Sequence, residues 1–366
     1  MRALAFALPC CALLCGAMFA GSARPAACSP LDCSASQYVL AHGSLLGVRG
    51  SAHMPLRVID LRTGETRWRL PPGVVAGHVV VHLDGRLLTW FDGATGARLA
   101  DAVVQAHGTF TLTGASQDGR DAVLARTEQR STTFVIVSPA RERIVRLGGN
   151  RWSFDALSGD SLFLVRTLPT GYQVRLLRLA SGILARSPLK DPDESATLTG
   201  VPWSRTPSAD GRYLFTLYVS SNGNAMVHVL DTQAATAHCV DLPGSGDFNA
   251  ASTYALVVDP DGRHLWAVSP GYGRVVDLDV VAHKVVDAYR FDASAAWNTN
   301  FGAAAIAPDG ERLAATDGYH VWFVELAQRK VLTGPSHVAL ALAYSPDLKR
   351  LWVVGERSRV TALRAR

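Results

Sequence analysis

Residues 259–268 read DPDGRHLWAV, and close variants of this phrase recur along a chain of 366 residues. SQDGRDAVLA begins at Ser116, SADGRYLFTL at Ser208, APDGERLAAT at Ala307 and SPDLKRLWVV at Ser345. A D-G pair makes a tight turn, because glycine enters the positive-φ region that a hairpin needs without steric cost. The residues that follow alternate in polarity, the period of a strand with one face buried. The phrase is a hairpin, and the chain writes it again and again.

The five phrases start at 116, 208, 259, 307 and 345, so they lie 92, 51, 48 and 38 residues apart. The first gap holds two units, with FDALSGDSLFLV around Ser158–Asp160 as the missing copy. Two weaker units come earlier, YVLAHGSLLGVRG from Tyr38 and VVAGHVVVHL from Val74. Eight unit starts result, roughly 41 residues apiece, a period that belongs to arrays and propellers.

Each unit also has a third strand ending in an acidic or small turn, as in LRVIDLRTGE and RVVDLDVVAH. A fourth follows at once, as in TRWRL and KVVDAYRF. No helical spacing of apolar residues persists over twelve positions. The chain therefore reads as all-β, a series of four-stranded antiparallel sheets, which protect their edges by closing radially into a β-propeller. Eight blades is the favoured count; seven is the alternative, if Tyr38–Val104 is divided less regularly. The last unit, from Ala339, shows only three strands: ALALAYS, KRLWVV and RVTALRA. A strand from the N-terminal segment would complete it and fasten the last blade to the first.

DPDGRHLWAV followed by GRVVDLDVVAHKVV resembles a YVTN-type repeat of the WD-repeat-like β-propellers: a P-D-G turn, an L-W-V strand, then V-x-D-x-D and a closing V-V. RLLTWFDGATGARLAD and LRVIDLRTGETRW are similar to quinoprotein (PQQ-type) repeats, which place D-x-x-T-G between the third and fourth strands. These patterns cover nearly all of the chain after its N-terminus. They imply the propeller fold and leave activity open, because propellers host binders, hydrolases, dehydrogenases and scaffolds alike. The W-D dipeptide of cytoplasmic WD repeats is absent.

The N-terminus carries one Arg, an apolar run from Ala3 to Ala20 and then small residues, the three regions of a secretory signal peptide. Gly21-Ser22-Ala23 fits the cleavage rule, so residues 1–23 are expected to leave and the mature chain to begin near Arg24 in the periplasm or outside the cell. An uncleaved anchor and a lipoprotein at Cys28 are the alternatives. Residues 24–37 form an N-terminal segment in which Cys28 and Cys33 can close a small disulfide loop in an oxidising compartment. Residues 38–366 form one propeller domain, with Cys239 left as a half-buried thiol. No later apolar run approaches membrane-spanning length.

Charged residues are 18% of the chain, hydrophobic residues 48%, and the net charge is +5. That composition suits a well-buried core. No basic stripe with interleaved aromatics appears, so nucleic acid is not expected as a partner. Lys349, Arg350, Arg357, Arg359, Arg364 and Arg366 gather near the C-terminus, a pattern read as a solvated edge.

In a propeller the loops between blades share one rim with those between second and third strands, the default place for a ligand. Three long polar loops follow one another here: 191–205, 243–253 and 292–302. With Arg151 and Trp152, they define a candidate rim of Trp203, Arg205, Asp247, Asn249, Tyr272, Trp297, Asn298 and Asn300. Rings supply contact area and amides orientation, which suits a peptide, protein or cell-surface polymer. The same tryptophans can equally serve as packing between blades. Asp191, Asp193 and Glu194 in DPDES offer clustered oxygens for a hard cation, without the spacing of an EF-hand. No HExxH, GxSxG, P-loop or GxGxxG occurs, so no catalytic residue and no cofactor is expected. The leading reading is a monomeric, exported, non-enzymatic binding propeller. A propeller enzyme, either a lactonase-like hydrolase or a quinone- or metal-dependent oxidoreductase, is the alternative, and a pure scaffold is the third.

Overall fold

In the computed structural model, the first residue of the repeated phrase turns its side chain back on the hairpin. Ser116, Ser208, Asp259 and Ser345 accept the backbone N–H five residues on, at 2.9, 2.9, 3.1 and 2.9 Å. The aspartate in third place (Asp118, Asp210, Asp261, Asp309, Asp347) accepts the N–H two residues on, at 2.8–3.2 Å in all five copies. Gly262 then sits at φ +74°, and the equivalent position of the last copy holds Leu348 at φ +60°. Short polar side chains and one left-handed residue thus close a turn that strand pairing alone would leave open. The D-x-x-T-G turns obey the same logic. Asp92 caps Ala94 N and Thr95 N, and Asp60 caps Arg62 N; Asp231, in a turn of different sequence, caps Gln233 N and Ala234 N in the same way. Those motifs are hairpin chemistry.

The structure describes residues 36–40, 44–49, 54–191, 197–293, 301–355 and 359–365. These form eight antiparallel sheets, spanning 36–70, 74–103, 111–148, 152–184, 201–242, 255–290, 303–336 and 341–364. Seven are four-stranded in chain order, and the eighth shows three strands among the described residues. The first strands of successive blades run side by side, and Ala341–Tyr344 of the eighth lies beside Ser36–Leu40 of the first. This is a closed eight-bladed β-propeller. The eight-blade reading holds over seven, and the three strands expected at the end are Ala341–Tyr344, Arg350–Val354 and Val360–Arg364. Residues 24–35 of the N-terminal segment, with Cys28 and Cys33, lie outside the described residues, while Ser36 and Gln37 open the first strand of blade one. Among the described residues, no helix is long and apolar enough to cross a membrane.

Eight separate apolar layers hold the ring, one between each pair of neighbouring blades. Strand alternation feeds them. In the second strand of blade six, Leu265 and Ala267 face blade five, whereas Trp266 and Val268 face blade seven. At the seam, Leu46, Val48, Ile59 and Leu61 of blade one pack on Ala341, Ala343, Trp352 and Val354 of blade eight. The Trp352 indole N–H donates to Leu61 O at 2.7 Å. Gly64 makes room for that ring: a Cβ there would lie 2.3 Å from it.

Two substitutions separate these contributions. Gly262→Ala meets nothing within 4 Å, so only the left-handed backbone penalises it, by about 1–2 kcal/mol. Trp352→Ala empties the seam and is expected to cost about 3–5 kcal/mol. Urea denaturation of both variants measures the two losses.

Candidate functional site

The connection between blades five and six carries the one helix described, a single short turn at Phe248–Ser252. Its residues explain it. Asp247, at φ −137°, accepts Asn249 N at 2.8 Å and Ala250 N at 3.1 Å, satisfying N–H groups that a helix start leaves unpaired. Ala250, Ala251 and Ser252 are buried. The Thr253 and Ser269 hydroxyls lie 2.8 Å apart and within 2.9 Å of Ala250 O, so their two protons are shared among these three contacts.

Neighbouring loops grip this turn. The Trp203 indole N–H donates to Ser252 O at 2.9 Å, with its ring edge-on to Phe248 at 5.7 Å. The Tyr272 hydroxyl lies 2.8 Å from both Gly223 O and Asp247 O and shares its proton between them. Tyr254 OH donates to Pro243 O at 2.6 Å. Gly223 must be glycine: it sits at φ +79°, and a Cβ would lie 2.3 Å from Asp247 N. These bonds bring the 220–224, 243–253 and 270–273 loops onto one rim.

Trp203, Asp247, Asn249 and Tyr272 therefore meet in one sector. The polar groups of Trp203, Asp247 and Tyr272 are committed to the protein's own backbone, while Asn249 stands half-buried at the surface. Around them Ser221, Asn222, Asn224, Ser245 and Gly246 are exposed. The result is a surface of amides and hydroxyls around the capping carboxylate of Asp247, braced by these bonds.

The other rim residues lie elsewhere. Trp152 is buried between blades three and four, donates to Gly148 O at 2.9 Å and lies under the Arg166 guanidinium at 5.5 Å. Arg151 is exposed beside it, its carbonyl accepting Thr167 N. Arg205, on the innermost strand of blade five, pairs at 2.8 Å with the buried carboxylate of Asp155 on the innermost strand of blade four. Asp191 lies against the outer strand of blade five, 3.3 Å from Cys239 N and 3.4 Å from His238 Nδ1. Trp297, Asn298, Asn300, Asp193 and Glu194 lie outside the described residues. Among the described residues, no three His, Cys, Asp or Glu side chains converge as metal ligands would.

Sequence reading missed three features. The helical turn has a visible signal in Asp247 followed by FNAAS, a cap before a short helix former. The stacked imidazoles of His238 and His283, 3.9 Å apart, have none. His228 is the third. It lies fully buried on the third strand of blade five, edge-on to Tyr218 at 6.2 Å, and burial pulls its pKa down to about 4.

No family model matches the chain, and no curated protein matches it. Solved structures do. AztD of Citrobacter koseri is 13% identical with a TM-score of 0.54, over 83% of this chain and 90% of that one. The apo form of AztD gives 0.53 at 13% identity, over 82% and 86%. The Dos1 propeller gives 0.51 at 10% identity, over 91% and 92%. At such identities the likeness is one of fold.

Two measurements follow. Removing the cap with Asp247→Ala is expected to cost about 1 kcal/mol, read as faster amide exchange confined to residues 248–254. The buried imidazole of His228 sets a pH dependence. As pH falls below ~6.5 the unfolded chain takes up a proton that the folded chain refuses until about pH 4. Stability is full above that window and is lost across it, by on the order of 3 kcal/mol. His228→Leu flattens this slope in melts between pH 4 and 7.

Proposed function

We propose that this is an exported, non-enzymatic propeller that binds a peptide, protein or cell-surface polymer on the rim of blades five and six. The observation that carries it is the capped helical turn at Phe248–Ser252, gripped by Trp203 and Tyr272 from the flanking blades. A surface held rigid before contact loses little entropy on binding. Its exposed groups, the hydroxyl and amides of Ser221, Asn222 and Asn224, together with the half-buried Asn249 amide, match a neutral ligand rich in donors and acceptors, such as a peptide backbone or a glycan. The repeats are read as kin of the YVTN-type unit, and the site calls for neither metal nor organic cofactor.

Arrays of glycans and peptides probed with the mature chain test the reading. Ser221→Ala, Asn224→Ala and Asn249→Ala together are expected to weaken a captured ligand at least tenfold with the melting temperature unchanged. An undiminished affinity removes this sector. Export has its own check: N-terminal sequencing of the chain recovered from its native cell should begin near Arg24, and a chain retaining residues 1–23 overturns that part.

A further inference from the structure

Five arginines meet where blades three and four join at the rim. Segments 126–131 (RTEQRS), 146–152 (RLGGNRW) and 166–171 (RTLPTG) set Arg126, Arg130, Arg146, Arg151 and Arg166 against the single carboxylate of Glu128. That is an excess of four positive charges in a chain whose net charge is +5. Backbone bonds draw the three segments together. Glu128 N donates to Ser131 O at 2.8 Å and closes the turn of blade three. Gly149 N then donates to Arg130 O at 2.8 Å, and Thr167 N to Arg151 O at 2.9 Å. Trp152 stands opposite Arg166 across the first two strands of blade four, and the Arg166 guanidinium lies over its ring.

Glu128 does not neutralise the group. Its carboxylate is taken by Arg126 at 3.2 Å, by Arg146 at 3.6 Å and by the Ser131 hydroxyl at 3.1 Å. Arg126 is held further by His107 O and the Phe110 ring, and Arg146 by Ser131 Oγ. Arg130, Arg151 and Arg166 are exposed beside that knot. Behind Arg166, the buried Arg175 donates to Ala185 O and Arg186 O. Burial and the Arg166 charge hold the Arg175 pKa below the usual arginine value, so the two guanidiniums feel each other. Gly148 and Gly149 leave the surface between Arg146 and Arg151 open: a Cβ at either meets nothing within 4 Å.

We infer that this arginine cluster binds an acidic polysaccharide. A guanidinium is a planar fork that holds a carboxylate or sulfate through two parallel N–H bonds, and every cation of the three segments is arginine. Exposed Thr127, Gln129, Asn150 and Ser153 add hydroxyls and amides for the sugar hydroxyls. Trp152 is the one aromatic residue of these segments, and it is buried with its N–H on Gly148 O. It is not available to stack a base, as a single-stranded nucleic acid would require. The site is separate from the rim of blades five and six and does not depend on it.

The probe is a fluorescein-labelled oligogalacturonate, titrated by anisotropy against the full chain. Its methyl ester is the uncharged counterpart, and oligo-dT is an anion of another class. The acid is expected to bind, the ester at least tenfold more weakly, and added salt to weaken the acid. Arg130→Glu with Arg151→Glu should weaken binding at least tenfold at an unchanged melting temperature, since both side chains are exposed. Arg263→Glu with Arg290→Glu, exposed on blade six, alters the net charge equally and should leave binding intact. So should the triple Ser221→Ala, Asn224→Ala, Asn249→Ala variant, which separates this site from the other rim. Equal binding of the ester, tighter binding of oligo-dT, indifference to the Arg130 and Arg151 pair, or an equal loss in either control variant each overturns the proposal.

Discussion

A blade of this protein has two apolar faces and can bury neither by itself. Alternation along a strand sends Leu265 to one neighbour and Val268 to the other, so each sheet is half of two cores. Eight sheets under that constraint have one economical solution, a ring in which the last face meets the first. The joint of Leu46, Ile59, Trp352 and Val354 is therefore the condition on which the other seven interfaces stand. The indole bond to Leu61 O and the missing side chain at Gly64 shape that joint more narrowly than hydrophobicity alone would.

Most of this architecture was legible in the sequence because it rests on local chemistry. A serine or aspartate five residues before the N–H it accepts, an aspartate two residues before another, and a glycine between them are all within one decapeptide. The unit count follows from repetition, and the three described strands of the last blade from ALALAYS, KRLWVV and RVTALRA. The candidate rim was legible as a neighbourhood, since loops lengthen where Trp203, Asp247 and Tyr272 converge. Individual roles were not. Trp203 bonds a carbonyl 49 residues away, and Trp152 one only four away in the preceding blade; nothing in either flanking sequence distinguishes these partners. The two D-x-x-T-G turns spoke only of the fold, and their aspartates are indeed occupied in capping their own hairpins.

The rim of blades five and six is held from several sides, by Trp203, Tyr254 and Tyr272 bonding to backbone carbonyls of neighbouring loops. Beside this rim Arg205 and Asp155 join the innermost strands of blades five and four. The Asp155 carboxylate is withdrawn from water, so the guanidinium offsets a desolvation cost as well as tying the two strands together.

The contact that shuts the ring has a consequence in time. Trp352 meets a carbonyl 291 residues earlier in the chain. A ribosome adding 5–20 residues per second needs roughly 15–60 s to cover that distance. Throughout that interval blade one exists with Leu46, Val48 and Ile59 uncovered, an apolar sheet with no partner yet made. Closure of the ring is thus the last contact that synthesis allows, however early the interfaces from blade one through blade seven have formed.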